Sequence, residues 1–115
     1  MEVLRISIDE LKHKMGRGER VIFLDARSEK AYAESTVQIP GSHRVPPDKV
    51  EGMLDEILRN GLIVPYCTGP KEQQSAIVAL ALMEDGVRDV KPLLGGLNAW
   101  LEAGLPTQPK EEAWA

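Results

Sequence analysis

Short apolar runs alternate with amphipathic ones along the chain. Val21-Ile22-Phe23-Leu24-Asp25 is apolar and continuous at strand length, with no period-two alternation. That pattern predicts a strand buried on both faces, as in a parallel sheet. Leu62-Ile63-Val64-Pro65-Tyr66-Cys67 is a second such run. Pro65 argues against a central place for it, because proline cannot donate to a ladder. Shorter strands are expected over residues 3–6, 43–45 and 90–94.

The intervening segments read as helices. Ser7-Ile8-Asp9-Glu10 is a capping box for a helix running from Leu11 to about Met15 and stopping at Gly16. Residues 29–34 predict a short helix carrying Tyr32 inward. Residues 48–59 show the clearest helical period. Asp48-Lys49-Val50-Glu51 forms a second capping box, and Val50, Met53, Leu54, Ile57 and Leu58 share one face. Gly61 then suits a left-handed cap. Residues 75–85 form a strongly apolar helix ended by Gly86. Ile39-Pro40-Gly41-Ser42 and Gly95-Gly96 are turns, and residues 97–103 make a last helix ended by Gly104. Residues 110–115 read as a loose tail.

Strands separated by helices predict an α/β domain with a mainly parallel sheet. At 115 residues the chain makes one domain, and at 43% hydrophobic and 28% charged it has the composition of an ordinary folded one. The net charge of -4 supplies no basic footprint for nucleic acid or a membrane surface. No run reaches the roughly 18–20 apolar residues of a membrane span. The first residues lack a charged-then-apolar leader, so a cytoplasmic location is expected.

The composition contains a single cysteine, Cys67. An intramolecular disulfide is impossible, and with no clustered His or acid set no metal and no cofactor are expected. In open parallel sheets ligands sit at the carboxyl ends of strands, where Cys67 lies. An apolar strand, a cysteine, a polar loop and a helix follow one another there. Loop amides and the positive end of the helix stabilise a thiolate or an anion attached to sulfur, and cysteine pKa falls from about 8.5 to roughly 3.5–7.5 in such settings. Spacing alone leaves this reading level with a plain one, a buried thiol filling space at a strand end.

Several pieces of the chain, in order, resemble the rhodanese-like (thiosulfate sulfurtransferase homology) domain family. Val21-Ile22-Phe23-Leu24-Asp25-Ala26-Arg27 is similar to its first strand end, and Ile39-Pro40-Gly41-Ser42 to its Ile-Pro-Gly turn. Tyr66-Cys67 is similar to the strand end with the active cysteine. Gly95-Gly96-Leu97-Asn98-Ala99-Trp100 with Gly104-Leu105-Pro106 looks like its terminal signature. The resemblance spans residues 4–109. It implies a five-stranded, mainly parallel sheet with helices on both faces. It also implies a sulfurtransferase carrying sulfane sulfur as a persulfide on Cys67, from a small anionic thiosulfate-like donor to a thiol or cyanide acceptor. Thr68, Gly69, Pro70, Lys71, Glu72 and Gln73 are then the substrate-binding loop around it.

The loop departs from the family's usual arginine-bearing form. It contains no arginine, the path to the next helix is longer, and Gly69 stands where one subgroup has a second cysteine. Val37-Gln38 replace the Gly-His that precedes the family's turn. A catalytically weak interaction or sulfur-carrier module is therefore the alternative. The related cysteine phosphatases and arsenate reductases clamp their oxyanion with an arginine where this chain has Gln73, which sets that activity aside.

Other residues carry plainer expectations. Lys71 would attract an anion, and Glu72 suits the first turn of the following helix. Asp25 and Arg27 should form a structural ion pair at a strand end. Arg44 is a further cation without an assigned place. His13 and His43 belong on the surface, Trp100 in the core and Trp114 in the tail.

Overall fold

The computed structural model describes residues 3–57, 59–69 and 73–110. Helix α1 (Ile8–Gly16) opens on Ser7, whose hydroxyl accepts from the Glu10 amide at 3.1 Å, as the capping box requires. Strand β1 (Val21–Asp25) follows, then α2 (Glu29–Glu34), capped by the Ser28 hydroxyl. The short β2 (Val37–Gln38) and β3 (His43–Arg44) come next. Helix α3 (Val50–Met53) leads to β4 (Leu62–Tyr66), α4 (Gln73–Glu84), α5 (Gly96–Glu102) and β5 (Gln108–Pro109).

The main sheet is parallel, in the order β3-β1-β4. Val21 pairs with Leu62 and the register runs to Asp25 opposite Tyr66, while β3 pairs Leu24 with His43 and Asp25 with Arg44. Both long strands are buried on both faces, as their unbroken apolar runs imply. Residues of opposite parity feed two cores. Ile22, Leu24 and Ile63 pack with Val78, Ala79 and Leu82 of α4 on one face. Phe23, Leu62, Val64 and Tyr66 pack with Leu11 of α1 and Leu97 and Trp100 of α5 on the other. Helices thus cover both faces.

The expectation of five strands is corrected to three. Among the described residues, the sheet continues beyond β4 only as isolated parallel bridges, Ile63 with Val90 and Ile6 with Leu93. The Ile63 amide donates to Asp89 O and the Lys91 amide to Ile63 O, each at 2.9 Å. The next donor across that ladder belongs to residue 65, which is proline. The Ile6 amide donates to Pro92 O, and the donor that would carry that bridge toward Leu4 belongs to residue 92, again proline. Two missing N–H groups cut both would-be strands to single bridges. Pro65 accords with the reading of its sequence, since β4 is an edge strand of the three-stranded sheet and β1 holds the centre. Its carbonyl accepts from the Leu93 amide at 2.9 Å, and its missing donor falls on the side where the ladder stops.

The helix expected over residues 48–59 is also corrected. It is one turn of α-helix between two 3₁₀ turns, Pro47–Lys49 and Leu54–Glu56. Gly52 sits in its middle and weakens a helix by about 1 kcal/mol relative to alanine, while Pro46-Pro47 imposes a turn at its start. No side-chain cap forms at Pro46 or Lys49. Val50 and Ile57 are buried as expected; Leu58 lies outside the described residues. Gly61 is not left-handed.

One pairing has no counterpart in the local pattern. β2 and β5 form an antiparallel pair, with Val37 opposite Pro109 and Gln38 opposite Gln108. Lys110, read as the start of a loose tail, extends it. Its amide donates to Thr36 O at 2.9 Å and its ammonium to Tyr32 O at 2.7 Å. Trp114 and the rest of the expected tail lie outside the described residues.

Candidate active site

Cys67 follows β4 directly, is 3% exposed and is a free thiol. The first turn of α5 clamps the chain on which it sits. The Leu97 amide donates to Cys67 O at 2.7 Å, and the Asn98 amide to Thr68 O at 3.0 Å. This contact requires Gly96. Its φ is +59°, and a Cβ there would stand 2.3 Å from Cys67 O. The Gly-Gly pair is thus where the α5 backbone closes against the cysteine loop.

Among the described residues, two groups neighbour the sulfur as hydrogen-bonding partners. The Ser75 hydroxyl lies 3.7 Å from Sγ, and Gly69 O lies 4.0 Å away. Ser75 is fully buried in the first turn of α4, so the hydroxyl is held against the thiol. Gly69 is half-buried, and Thr68 and Gln73 are exposed. Pro70, Lys71 and Glu72 lie outside the described residues. The structure therefore brings Cys67, Thr68 and Gly69 together with the start of α4.

The neighbouring strand end carries the expected ion pair in strengthened form. Register places Ala26 beside Cys67, with the Ala26 amide donating to Tyr66 O at 2.8 Å. Arg27 Nε donates to Asp25 Oδ1 at 2.9 Å and Nη2 to Oδ2 at 2.7 Å, and both side chains are buried. Nη2 also donates to Val37 O at 3.1 Å, tying β1 to β2. Burial works against the Arg27 charge, but the Asp25 carboxylate outweighs it and holds the guanidinium above its usual range. Arg44 now has a place. Its Nη1 donates to Arg27 O at 2.5 Å and Asp25 O at 3.1 Å, and its guanidinium stacks 4.2 Å from the Tyr32 ring centre. Burial leaves it below its usual range, against the pull of Asp25.

Tyr66 points away from the chemistry. Its hydroxyl lies 2.9 Å from Ser42 Oγ and accepts from the Ile39 amide at 3.3 Å, pinning the Ile-Pro-Gly turn to β4. Burial pushes its phenol well above the ordinary range. His13 and His43 are exposed. Trp100 is core, edge-on to Phe23 at 5.4 Å, with its indole N–H on Pro106 O at 2.7 Å.

Two residues that touch the thiol or its loop were not singled out by the sequence. Ser75 reads there only as the start of a helix. Asn98 is exposed on α5, and its Nδ2 stands 3.2 Å from where a Cβ on residue 69 would be. A signal for Asn98 was available. Leu97 and Trp100 turn inward, so of the two residues between them Asn98, in the first turn, faces out beside whatever the Gly-Gly turn touches.

Known proteins agree with this architecture. The model of the rhodanese-like domain matches residues 7–103. A protein named sulfurtransferase from Allochromatium vinosum is 29% identical over 105 residues, covering 90% of this chain and 94% of that one. The solved rhodanese-like domain protein of Staphylococcus aureus is 28% identical with a TM-score of 0.68, over 85% of this chain and 91% of that one. A Rhodopseudomonas palustris protein, named a possible tyrosine phosphatase, shares the fold. Its TM-score is 0.74 at 23% identity, over 92% of this chain and 85% of that one. With a family model spanning most of its length and the cysteine loop clamped by the Gly-Gly turn, the chain belongs to the rhodanese-like domain family.

Proposed function

We propose that the protein is a sulfurtransferase that carries sulfane sulfur as a persulfide on Cys67. The observation that carries this reading is the placement of the thiol. It stands at the carboxyl end of β4, backed by the α5 clamp and beside the buried Ser75 hydroxyl. A hydroxyl there donates to a thiolate, and again to the inner sulfur when it becomes the leaving group. Family membership and the sulfurtransferase relative support the same class of chemistry.

With a thiosulfate-like donor, the Cys67 thiolate attacks the outer sulfur. The new S–S bond forms as the donor's S–S bond breaks, and sulfite leaves with the electron pair. An acceptor thiolate or cyanide then attacks the outer sulfur of the persulfide and releases the Cys67 thiolate. Thr68, Gly69, Pro70, Lys71, Glu72 and Gln73 line the approach in this reading. Gln73 opens α4 where a phosphatase loop would place its clamp, and a neutral amide does not neutralise a transferring phosphoryl group.

Intact-mass spectrometry after incubation with thiosulfate or a small persulfide tests the proposal. Wild-type protein gains one sulfur atom and Cys67→Ser gains none. A wild-type protein left unmodified by both donors overturns it.

A further inference from the structure

The chain holds two asparagines, Asn60 and Asn98, and both are exposed. Asparagine is among the chemically labile residues, and the main-chain nitrogen that follows it decides how labile. Asn98 lies in the first turn of α5, where the amide of its successor, Ala99, donates to Gly95 O at 3.2 Å. Asn60 stands at the turn into β4 and is followed by Gly61. Among the described residues, no main-chain carbonyl accepts from the Gly61 amide. The acidic counterpart of this pair, Asp85-Gly86, is held. Its Gly86 amide donates to Met83 O at 3.1 Å, and the Asp85 carboxylate pairs with Arg59. Glycine at position 61 is imposed by the fold. A Cβ there would stand 2.8 Å from Arg20 O, and that carbonyl accepts from the Leu62 amide at 3.1 Å where β4 begins to pair with β1. The packing of β4 thus sets an unhindered, unbonded backbone nitrogen next to an exposed carboxamide.

We infer that Asn60 is a site of spontaneous covalent modification, which converts it through a cyclic imide to isoaspartate and loosens the entry to β4. Water is the co-reactant and ammonia the product. The Gly61 amide nitrogen gives its proton to hydroxide and bonds to the side-chain carbonyl carbon of Asn60. The bond from that carbon to the side-chain nitrogen breaks. The nitrogen leaves with the electron pair and takes a proton from water, so ammonia departs and hydroxide is regenerated. Water then opens the imide. Opening at the side-chain carbonyl gives aspartate. Opening at the main-chain carbonyl gives isoaspartate, in which the chain runs through the former side chain and is longer by a methylene. Both products add a negative charge, but isoaspartate alone lengthens the backbone. The added length falls between two anchored points. On one side Arg59 donates to Leu54 O at 3.2 Å and pairs with Asp85. On the other, Gly61 lies against Arg20 and Leu62 is bonded to it. The methylene therefore pushes Gly61 off Arg20 and opens the first rung between β1 and β4.

The test ages the protein in neutral buffer, folded and in urea, and follows the tryptic peptides that hold residues 60 and 98. Exchange of the amide nitrogen for oxygen is read by mass, and isoaspartate by labelling with a protein isoaspartyl methyltransferase. Folding leaves the rate at residue 60 within about threefold of its value in urea and lowers the rate at residue 98 about tenfold, because the Ala99 amide must first give up its hydrogen bond. Asn60→Ser abolishes the labelling at residue 60. Aged protein enriched in isoaspartate unfolds at lower urea than fresh protein, whereas Asn60→Asp, which carries the charge on an unaltered backbone, unfolds with fresh protein. Protection of residue 60 by folding as strong as that of residue 98 overturns the assignment of the site. Aged protein that unfolds together with Asn60→Asp overturns the effect on β4.

Discussion

At the scale of single residues, two positions at the site and one behind it can be read by single substitutions. Gly96 admits no Cβ, because Cys67 O is in the way and its φ is positive. Gly96→Ala should cost about 2 kcal/mol or more in urea unfolding and slow sulfur loading, since the clamp on the cysteine loop must open. Ser75 should show itself through rescue. Ser75→Ala slows loading about tenfold at saturating donor, and Ser75→Thr, which keeps the hydroxyl, restores most of it. A Thr variant as slow as the Ala variant would assign Ser75 to packing alone. Tyr66 makes an alkaline prediction. Burial raises its folded-state pKa above the unfolded value of 10.0, so the folded state binds the phenolic proton more tightly. That stabilisation is complete below pH 10 and declines as pH rises from there toward the folded value, because the unfolded chain ionises first. Stability should fall more steeply above pH 10 in wild type than in Tyr66→Phe. At neutral pH the variant loses about 1 kcal/mol with the bonds to Ser42 and Ile39. Equal slopes in the two proteins would refute this.

At the scale of elements, local pattern succeeded where the partners of an element are near in sequence. The Ser7 cap, the two buried strands, the apolar α4 and the Gly-Gly entry to α5 all form where the sequence places them. It failed at residues 48–59, where periodicity pointed to a continuous helix and backbone chemistry opposed it. Gly52 has open space around it and no positive φ. Gly52→Ala should therefore stabilise the protein by about 0.5–1 kcal/mol and raise its helical far-UV signal as the 3₁₀ turns join α3. An unchanged spectrum would place the cause in Pro46-Pro47 instead. The β2–β5 pair was invisible because two-residue strands carry no period. Only the meeting of residues far apart in the chain makes them strands.

At the scale of the molecule, the sheet separates two cores that share strands but not side chains. Leu82 is buried in one and Leu93 in the other. Each leucine-to-alanine change should cost about 2–5 kcal/mol, and the costs should add in the double variant, since neither cavity borrows from the other. Strong non-additivity in chemical unfolding would mean that the sheet transmits strain between faces. No helix of the described residues is long and apolar enough to cross a membrane.

Order along the chain determined most of the layout. Buried strands, caps and glycine stops are local consequences of hydrophobicity and backbone sterics, and the position of Cys67 after a buried strand is equally local. The same letters foretold that Asp25 and Arg27 would pair, being two residues apart at a strand end. Tertiary structure decided what lies around the thiol. Ser75 reaches the sulfur and Asn98 reaches Gly69 only because α4 and α5 return to the same strand end. Arg44 is occupied only because β3 packs beside β1. The extent of the sheet was settled in the same way. A proline in one chain segment ends a ladder only when another segment lies across from it, and a one-dimensional pattern does not contain that distance.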